Sequence, residues 1–359
     1  MIDPAVPKRL KTLHSRDQEF TSYLDGSFSE EEVAIPLRSL NVGTQTEEVT
    51  FAIVKNEDVE TPSKLMITRA LVRPATLIFS AGPMLAVLAH AVATNQYFNR
   101  VLATACVLGI LCFQIAVNLF NDYGDHMKGQ DRVRPQGGSR AIQNGWVRAR
   151  KVRQMALGLT GFAALCGVPA IVTSPALLLA VVAFVIAMEF AFQRLRLKRR
   201  GFAEVLAFGL TGPLLTVGFS LAVLGYAGVA EVALGCLFGA IALLYFHSAN
   251  FENIMVDSQA GARTWATRTG FEASKTFYVA VSVLCVVLTA VEIFAVERNI
   301  KLLPVLLVQL LILIPVCSRV LKLASPLSSE LVGLRMEAVR LSWLTTIALT
   351  GSFFWIKTG

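Results

Sequence analysis

Charged side chains are scarce in this sequence of 359 residues. Asp, Glu, Lys and Arg together make up 16% of the chain, whereas hydrophobic residues make up 54%. A soluble globular domain usually carries about a quarter charged residues. The composition therefore excludes an ordinary soluble protein and indicates a polytopic membrane protein.

Cysteine and histidine are also few, with six and four copies. All six cysteines lie inside apolar segments, without the paired spacing of a zinc site and outside loops suited to a disulfide. We expect them to be small buried hydrophobic residues. The first 60 residues have no apolar run of the length that a secretory signal requires, so none is predicted.

Long apolar segments dominate the chain after residue 66. Nine of them are long enough to cross about 30 Å of hydrocarbon as helices, which predicts an all-α membrane domain over residues 67–359. Residues 1–66 are polar, and we expect a partly flexible cytoplasmic extension with one strand at 49–54. The predicted helices are 72–94, 101–120, 152–173, 175–193, 202–226, 228–249, 273–296, 302–323 and 338–357.

Basic residues in the loops predict how these helices are oriented. Counted after the first helix, the loops on one side hold twenty Lys or Arg, whereas the other loops and the C-terminal tail hold four. Loops rich in Lys and Arg usually stay in the cytoplasm. We therefore expect a bacterial-type cytoplasmic membrane protein with its N-terminus in the cytoplasm and its C-terminus on the opposite side.

A first polar cluster interrupts the apolar pattern where the second predicted helix ends. Asn118, Asp122 and Asp125 fall at positions i, i+4 and i+7. This spacing places the three side chains on one helix face. Tyr123 lies between the two aspartates in the sequence and is a candidate for lining a site there.

A second polar cluster has the same character and is also predicted on the cytoplasmic side. Asn250, Asn253 and Asp257 fall at i, i+3 and i+7, which again predicts one helix face. Hard oxygen ligands of this kind suit Mg²⁺, which usually links a carboxylate to a phosphate. The two clusters together predict a diphosphate substrate handled at a membrane surface.

A prenyl diphosphate fits these features. Mg²⁺ held by Asp122, Asp125 and Asp257 would help the diphosphate to leave, and an apolar helix bundle would shield the allylic cation and the lipid tail from water. Basic residues in the loops after each cluster can contact the free phosphate oxygens. The candidates for that contact are Lys128, Arg132, Arg140, Arg263 and Arg268.

Two further polar residues have two interpretations each. His247 lies three residues before Asn250, where it would either contact an aromatic acceptor or hydrogen-bond a neighbouring helix. Glu204 opens a predicted helix, where it is either a functional acid or a partner of the helix dipole. Both interpretations stay open for each residue at the level of the sequence.

A transporter that couples transport to intramembrane acids is the alternative from a different functional class. Transporters usually place such acids near the middle of the bilayer, at broken helices. In this sequence the acids are predicted at the cytoplasmic ends of helices and lead into basic loops. That arrangement favours phosphate binding over ion coupling.

The first cluster, in the stretch from Asn118 to Asp131, resembles the first aspartate motif of the UbiA superfamily of membrane aromatic prenyltransferases. Within that superfamily it is most similar to the 1,4-dihydroxy-2-naphthoate polyprenyltransferases of menaquinone synthesis. The stretch from Asp257 to Gly270 resembles the second motif of the superfamily. Further similarity is found at Arg73-Pro74, at residues 137–140 and at Asn144-Gly145.

The resemblance implies a nine-helix bundle that transfers a polyprenyl chain from its diphosphate to an aromatic ring with the help of Mg²⁺. In the naphthoate branch the acceptor loses its carboxylate as CO₂ and the product is demethylmenaquinol. The resemblance also implies partners: the polyprenyl diphosphate, an aromatic acid and the lipid bilayer, but no nucleic acid. Other acceptors within the superfamily, namely a hydroxybenzoate, a chlorophyll precursor or haem, remain alternatives.

The second motif departs from the superfamily pattern at one position. The usual residue four positions before the last aspartate is another aspartate, and here it is Asn253. An amide oxygen can still bind Mg²⁺, although the site loses a formal charge. The ligands that the resemblance implies for the metal are Asn118, Asp122, Asp125, Asn253 and Asp257.

Overall fold

The computed structural model divides the chain into two compact units. The first unit comprises Met1–Pro74 and Cys112–Phe162, and the second comprises Ala75–Leu111 and Ala163–Gly359. The first unit therefore includes both the N-terminal extension and the first polar cluster. The residues described are 9–133, 138–173, 201–259 and 261–358, without the side chains of Val133 and Thr173.

The N-terminal extension forms a three-stranded antiparallel sheet with the strand order β1-β3-β2. Its strands are β1 (Arg9–His14), β2 (Glu32–Leu40) and β3 (Glu48–Lys55). The strand predicted at residues 49–54 is thus confirmed as β3. The structure adds two strands that the sequence analysis did not predict, so the all-α class holds for the described residues of the apolar part and not for the extension.

The central strand β3 carries the core of this sheet. Val49, Phe51 and Ala52 are fully buried, and Val54 is 2% exposed. A continuous apolar run of this kind is expected for a strand that is covered on both faces. Pro36 lies in β2, an edge strand, where a residue without a backbone N–H is tolerated.

Helices form most of the remaining described chain. In chain order they are α1 (Phe20–Asp25), α2 (Lys64–Val72), α3 (Ile78–Ala93), α4 (Arg100–Met127), α5 (Gln130–Val133), α6 (Ala149–Thr173), α7 (Ala203–Gly209), α8 (Leu215–Val223), α9 (Val229–Glu252), α10 (Ile254–Gln259), α11 (Trp265–Thr269), α12 (Phe271–Val291), α13 (Leu303–Lys322) and α14 (Leu334–Thr358).

Eight helical segments in the described part of the chain are long and apolar enough to cross a membrane. Each overlaps one of the nine predicted segments. The remaining prediction, at 175–193, lies outside the described residues, so the count of nine stays a prediction. The eight segments are Lys64–Ala93, Arg100–Met127, Ala149–Val172, Ala203–Val223, Val229–Glu252, Phe271–Val296, Ile300–Lys322 and Ser329–Thr358.

The core of the second unit is formed by α3, α9, α12, α13 and α14. Phe238, Tyr278 and Phe353 are among its largest buried side chains. The helices approach closely where glycine leaves room: a Cβ placed on Gly82 of α3 would lie 2.9 Å from Phe238 Cε1 and 2.7 Å from Thr346 Oγ1. Small residues at such contacts let helices pack through van der Waals forces within a membrane.

A glycine also makes a close contact at an interruption in the span Ala203–Val223. Residues 210–214 form a π-helical turn between α7 and α8, with Pro213 inside it. A Cβ on Gly235 of α9 would lie 2.8 Å from Pro213 Cα. The position of the added Cβ is set by the backbone of α9, and Pro213 Cα is itself a backbone atom. Because neither atom can move on its own, a larger residue at position 235 has to push the two helical segments apart.

We expect Gly235→Ala to destabilise the protein by about 1–3 kcal/mol, because the added methyl overpacks this contact. The measurement is the thermal unfolding temperature of the purified protein in detergent. Gly218→Ala in α8 is the matched control, since its Cβ would meet no atom within 4 Å. Equal unfolding temperatures for Gly235→Ala and wild type would contradict the importance of this contact.

Candidate active site

The first polar cluster lies on one uninterrupted helix. Asn118, Asp122 and Asp125 all belong to α4, so the face that their spacing predicts is confirmed. Asn118 Nδ2 donates a hydrogen bond to the Val72 carbonyl oxygen at 3.4 Å. Asn121 Nδ2 donates to Asp125 Oδ2 at 3.1 Å. The two amides therefore orient the helix end and one of its carboxylates.

Asp122 is the most deeply buried acid of this cluster, with 3% of its surface exposed. Its Oδ1 accepts from the guanidinium of Arg73, and the Ser139 side chain also hydrogen-bonds to it. Its Oδ2 is buried and has no hydrogen-bond partner among the described residues. A buried oxygen without a partner is costly, so this atom is suited to a further donor or a cation.

A glycine keeps space open beside Asp122. Gly138 has a φ of +63°, and a Cβ at this position would lie 3.0 Å from Asp122 Oδ1, 3.5 Å from Arg73 Nη2 and 3.6 Å from Asp131 Oδ1. The left-handed conformation and the close charged groups both disfavour a larger residue. The backbone thus leaves a small space bordered by two carboxylates and one guanidinium.

Asp131 contributes a third carboxylate to this region. It is 5% exposed, and its Oδ2 accepts from Gln143 Nε2 at 2.5 Å. Burial, followed by the neighbouring carboxylates Asp125 and Asp122, raises the pKa of Asp131 to about 7, against the opposing effect of nearby arginines. A cation bound here would favour the ionised form.

The predicted phosphate contacts of the first loop differ in their surroundings. Lys128 is exposed. Arg132 is buried and forms an ion pair with Glu47. Arg140 Nη1 donates to the Asp131 carbonyl oxygen at 2.7 Å. Arg132 therefore has its charge matched inside the protein, whereas phosphate binding by these residues stays a prediction.

Tyr123 also lies on α4 and is half-buried. The Arg153 guanidinium carbon lies 6.0 Å from the centre of its ring, at the limit of a cation–π contact. Its predicted place in the lining of a substrate site stays a prediction.

The second polar cluster is not on one continuous helix, because the helix that its spacing predicts is interrupted at Asn253. Helix α9 ends at Glu252, and Asn253 has non-helical φ and ψ of −101° and 12° before α10 begins at Ile254. The Asn253 Nδ2 group donates to the Ala249 carbonyl oxygen at 2.7 Å. Asparagine side chains compete in this way for backbone groups and often end helices.

The break at Asn253 divides the second cluster between the end of α9, which carries Asn250, and α10, which carries Asp257. Asp257 lies in α10 and is 1% exposed. Because Asn253 uses its amide nitrogen at the helix end, its oxygen is the atom that can still bind a ligand. Arg263 and Arg268 follow, both exposed, with Arg268 on the short helix α11 that the Thr264 side chain caps.

His247 is buried in helix packing. Its Nε2 donates to the Ser274 carbonyl oxygen at 3.0 Å, and its ring packs edge-on against Phe277. Asn250 Nδ2 donates to Glu204 Oε1 at 2.7 Å, and that oxygen lies 4.0 Å from His247 Nδ1. Of the two interpretations of His247, the structure shows the hydrogen bond to a neighbouring helix.

Glu252, next to Asn253, binds the backbone of a neighbouring segment. Its Oε1 accepts from the backbone N–H groups of Gly333 and Arg335 at 3.1 and 2.8 Å. The Arg335 side chain pairs with it at 3.2 Å. The carboxylate therefore holds the start of α14 and does not replace the charge missing at Asn253.

Several residues of these sites carry no distinctive signal in the sequence. Ser139 and Gln143 reach the carboxylates only because of how the loop after α4 folds. Glu204 pairs with an amide 46 positions away in the sequence. Arg73 has a weak signal, since it adjoins a predicted helix, where an arginine either reaches a site or extends toward the membrane surface.

The first cluster fits a Mg²⁺ ion. The buried Asp122 Oδ2 atom, the space beside Gly138 and the oxygen donors of Asn118 and Asp125 suit a hard cation that keeps waters and phosphate among its ligands. Within residues 9–133, 138–173, 201–259 and 261–358, no three His, Cys, Asp or Glu side chains form a complete metal site. A substrate would therefore have to supply part of the coordination.

A sequence profile described as the UbiA prenyltransferase family matches residues 81–330, which is more than half of the chain. Among curated proteins, 1,4-dihydroxy-2-naphthoate octaprenyltransferase of Haemophilus influenzae is 38% identical over 61 residues. That match spans 17% of this chain and 20% of the relative.

Solved structures show the same fold. A UbiA homolog from Aeropyrum pernix K1 aligns with a TM-score of 0.60 at 16% identity and covers 76% of this chain and 96% of its own. A UbiA homolog from Archaeoglobus fulgidus, bound to DMAPP and Mg²⁺, aligns with a TM-score of 0.57 at 12% identity and covers 81% of this chain and 98% of its own.

The raised pKa of Asp131 predicts how pH changes the stability of the Mg²⁺-free protein. Its pKa is about 7 when folded against an ordinary 3.8, so the stability that its proton provides is present in acid and is lost as pH rises through 7. Asp131→Asn should remove this loss, which is at most about 4 kcal/mol.

The measurement is the unfolding temperature between pH 5.5 and pH 8 without divalent ions. Wild type should lose more stability than Asp131→Asn as pH rises. Glu57→Gln, which changes an exposed carboxylate, is the control and should keep the wild-type slope. Parallel slopes for wild type and Asp131→Asn would show that Asp131 is already ionised at low pH.

Proposed function

This chain belongs to the UbiA prenyltransferase family, and we propose that it transfers a polyprenyl group from its diphosphate to 1,4-dihydroxy-2-naphthoate. In this reaction the allylic C–O bond breaks and the diphosphate leaves with the bonding electrons. A ring carbon forms the new C–C bond, and the carboxylate leaves as CO₂ while its bonding electrons return to the ring. The product would be demethylmenaquinol.

The observation that carries the diphosphate part of this proposal is the buried Asp122 carboxylate. One of its oxygens pairs with Arg73, and the other has no partner in the described chain. A carboxylate of this kind is prepared for a cation that arrives with the substrate. When bound, Mg²⁺ would stabilise the charge that develops on the departing diphosphate.

We assign the metal contacts to oxygen atoms of both motifs. Asp122 and Asp125 of α4 would bind directly, with the Asn118 side chain beside them. In the second motif, Asp257 and the free oxygen of Asn253 would take the corresponding role. Solved relatives support a metal-bound diphosphate, since structures of a UbiA homolog from Archaeoglobus fulgidus are bound to DMAPP and Mg²⁺ and to GPP and Mg²⁺.

Cationic side chains would bind the remaining diphosphate charge. Arg73 lies against Asp122 and can exchange this contact for a phosphate oxygen when a metal ion takes over the carboxylate. Lys128, Arg263 and Arg268 are exposed and carry the charge that phosphate requires. Arg140 Nη1 donates to the Asp131 carbonyl oxygen, and we expect the same guanidinium to contact phosphate.

A naphthoate acceptor is supported by two similarities. The first motif is most similar to the naphthoate branch of the superfamily, and the curated relative that matches 61 residues is a 1,4-dihydroxy-2-naphthoate octaprenyltransferase. Another acceptor remains the alternative, and a structural neighbour described as digeranylgeranylglyceryl phosphate synthase has a TM-score of 0.56. The family match favours all of these enzymes over an ion-coupled transporter.

The reaction can be tested directly with purified protein, Mg²⁺ and a labelled polyprenyl diphosphate. Dihydroxynaphthoate, hydroxybenzoate and a glycerol phosphate lipid would be offered in separate assays, with detection of prenylated product, diphosphate and CO₂. Prenyl transfer to naphthoate with one CO₂ per product supports the proposal. Transfer only to another acceptor would overturn the substrate assignment, and a lack of diphosphate release with every acceptor would overturn the mechanism.

We expect Asp122→Ala and Asp257→Ala each to lower kcat by at least about a thousandfold, because losing a metal ligand removes several kcal/mol of transition-state stabilisation. Folding, measured by unfolding temperature and elution volume, should persist. Asp17→Ala, which removes an exposed carboxylate of the extension, is the control and should keep wild-type turnover. Full activity in either site variant would remove that aspartate from the mechanism.

Asn253→Asp should lower the Mg²⁺ concentration needed for half-maximal activity and keep turnover, because it adds a charged oxygen ligand where an amide oxygen is now available. The measurement is a Mg²⁺ titration of prenyl transfer. Asn299→Asp, a change of the same type in the turn after α12, should leave the titration unchanged. An inactive or unaltered Asn253→Asp enzyme would contradict the role assigned to this oxygen.

A further inference from the structure

The N-terminal extension packs against the loop that follows the first motif. This loop, called the motif loop below, consists of residues 126–133 and 138–148 in the described chain. Met127 packs on the apolar cluster formed by α1 and the sheet, which includes Tyr23 and Phe51. Trp146 packs on a second cluster that contains Ile35. Both ends of the motif loop are therefore anchored on the extension.

The fit between sheet and loop is close. Gly145 has a φ of +73°, and a Cβ at this position would lie 2.8 Å from Ile35 Cδ1. Next to this contact, Glu30 forms ion pairs with Arg148 at 2.7 Å and Arg150 at 2.5 Å. The extension is thus fixed to the loop by apolar packing and by charges at its edge.

One ion pair of this interface is fully buried. The Arg132 side chain is 5% exposed and pairs with Glu47, which is 6% exposed. The other guanidinium nitrogen, Arg132 Nη1, donates to the His126 carbonyl oxygen at 3.0 Å. Glu47 Oε2 also accepts from the Gly43 backbone N–H at 3.0 Å. Removing one member of a buried pair leaves an unmatched charge, which is strongly unfavourable.

A second route leads from the extension to a carboxylate of the candidate site. His126 Nε2 lies 2.9 Å from the Leu24 carbonyl oxygen, which can only accept, so this nitrogen carries the proton. Its Nδ1 therefore accepts from Gln143 Nε2 at 3.4 Å. The same Gln143 amide donates its other hydrogen to Asp131 Oδ2 at 2.5 Å. A carbonyl of the extension thus determines the tautomer of His126 and the direction of the Gln143 amide.

We propose that the N-terminal extension is a positioning domain for the metal-binding end of the first motif, and that Glu47 of the extension and Gln143 of the motif loop are the positioning residues. The inference rests on the function proposed above. Glu47 fixes Arg132 and the backbone at His126, one residue beyond Asp125. Gln143 fixes Asp131, which lies across Gly138 from Asp122. Both side chains are buried and act through other residues, so their effect is on the affinity of the site for Mg²⁺ and diphosphate.

The test compares Glu47→Gln with Glu48→Gln in the full-length protein. Glu48 is the next residue and the first of β3, and its side chain is 36% exposed and lies 4.0 Å from His14 Nδ1. Glu47→Gln should raise the Mg²⁺ concentration for half-maximal prenyl transfer by about tenfold, as removing a partner of metal ligands does. At saturating Mg²⁺ its kcat should return to within about twofold of wild type, and Glu48→Gln should match wild type throughout.

Gln143→Leu provides a second variant that leaves the buried ion pair intact. It removes the amide that joins His126 to Asp131, so it should shift the Mg²⁺ requirement in the same direction while the extension stays packed. Combined with Glu47→Gln, it should shift the requirement by less than the product of the single effects, because both act on the same loop. A lower kcat or unfolding temperature with an unchanged Mg²⁺ requirement would show that the extension only stabilises the structure, and it would overturn the proposal.

Hydrogen exchange measures the positioning without relying on activity. In wild type the Trp146 and Val147 amides donate to the Ala141 carbonyl oxygen at 2.9 and 3.2 Å, so they should exchange slowly. Glu47→Gln should speed their exchange by about tenfold, whereas Glu48→Gln should not. Equal exchange in all three proteins would overturn the positioning role, whereas a wild type with protected amides and no prenyl transfer would overturn only the proposed function.

Discussion

A carboxylate buried at the end of an apolar helix is the constraint around which the first unit is built. Burying the charge of Asp122 is unfavourable unless it is paired. Its partner Arg73 ends α2 with a left-handed φ of +53°, directly before Pro74. Gly138 approaches from the loop with a φ of +63°, where a side chain would meet the carboxylate. Two unusual backbone conformations thus serve one acid, and such conformations tend to occur at functional sites.

The second motif holds its buried polar side chains in a different way. The end of α9 uses amides and hydrogen bonds where the first motif uses an arginine: Asn250 contacts Glu204, and Asn253 turns its nitrogen back onto the helix. Each amide that donates through nitrogen leaves its oxygen for another partner. The second motif therefore offers amide oxygens together with the carboxylate of Asp257.

The sequence predicted the features that follow from local periodicity. Apolar length located eight described spans, and helical spacing placed Asn118, Asp122 and Asp125 on one face. The same spacing failed at Asn253, because a side chain that bonds the Ala249 carbonyl ends a helix without interrupting the apolar pattern. Contacts between segments that are distant in the sequence could not be predicted either, because they do not follow from local spacing. No local signal links Glu47 to Arg132, since their pairing depends on a sheet whose outer strands alternate only weakly.

The contacts of the extension explain the role of its acidic residues. The loop after the first motif carries carboxylates, and these would lose their water if the loop were buried in an apolar helix bundle. Packing the loop against a polar domain avoids this cost, and an ion pair such as Glu47 with Arg132 supplies a directional contact between groups that both need a charged partner. The acidic residues of the extension include Glu30 and Glu47, and these are the groups that hold the basic loop. Charge that looks unstructured in the sequence therefore specifies one arrangement of the loop, and the same arrangement directs Asp131 towards the neighbourhood of Asp122.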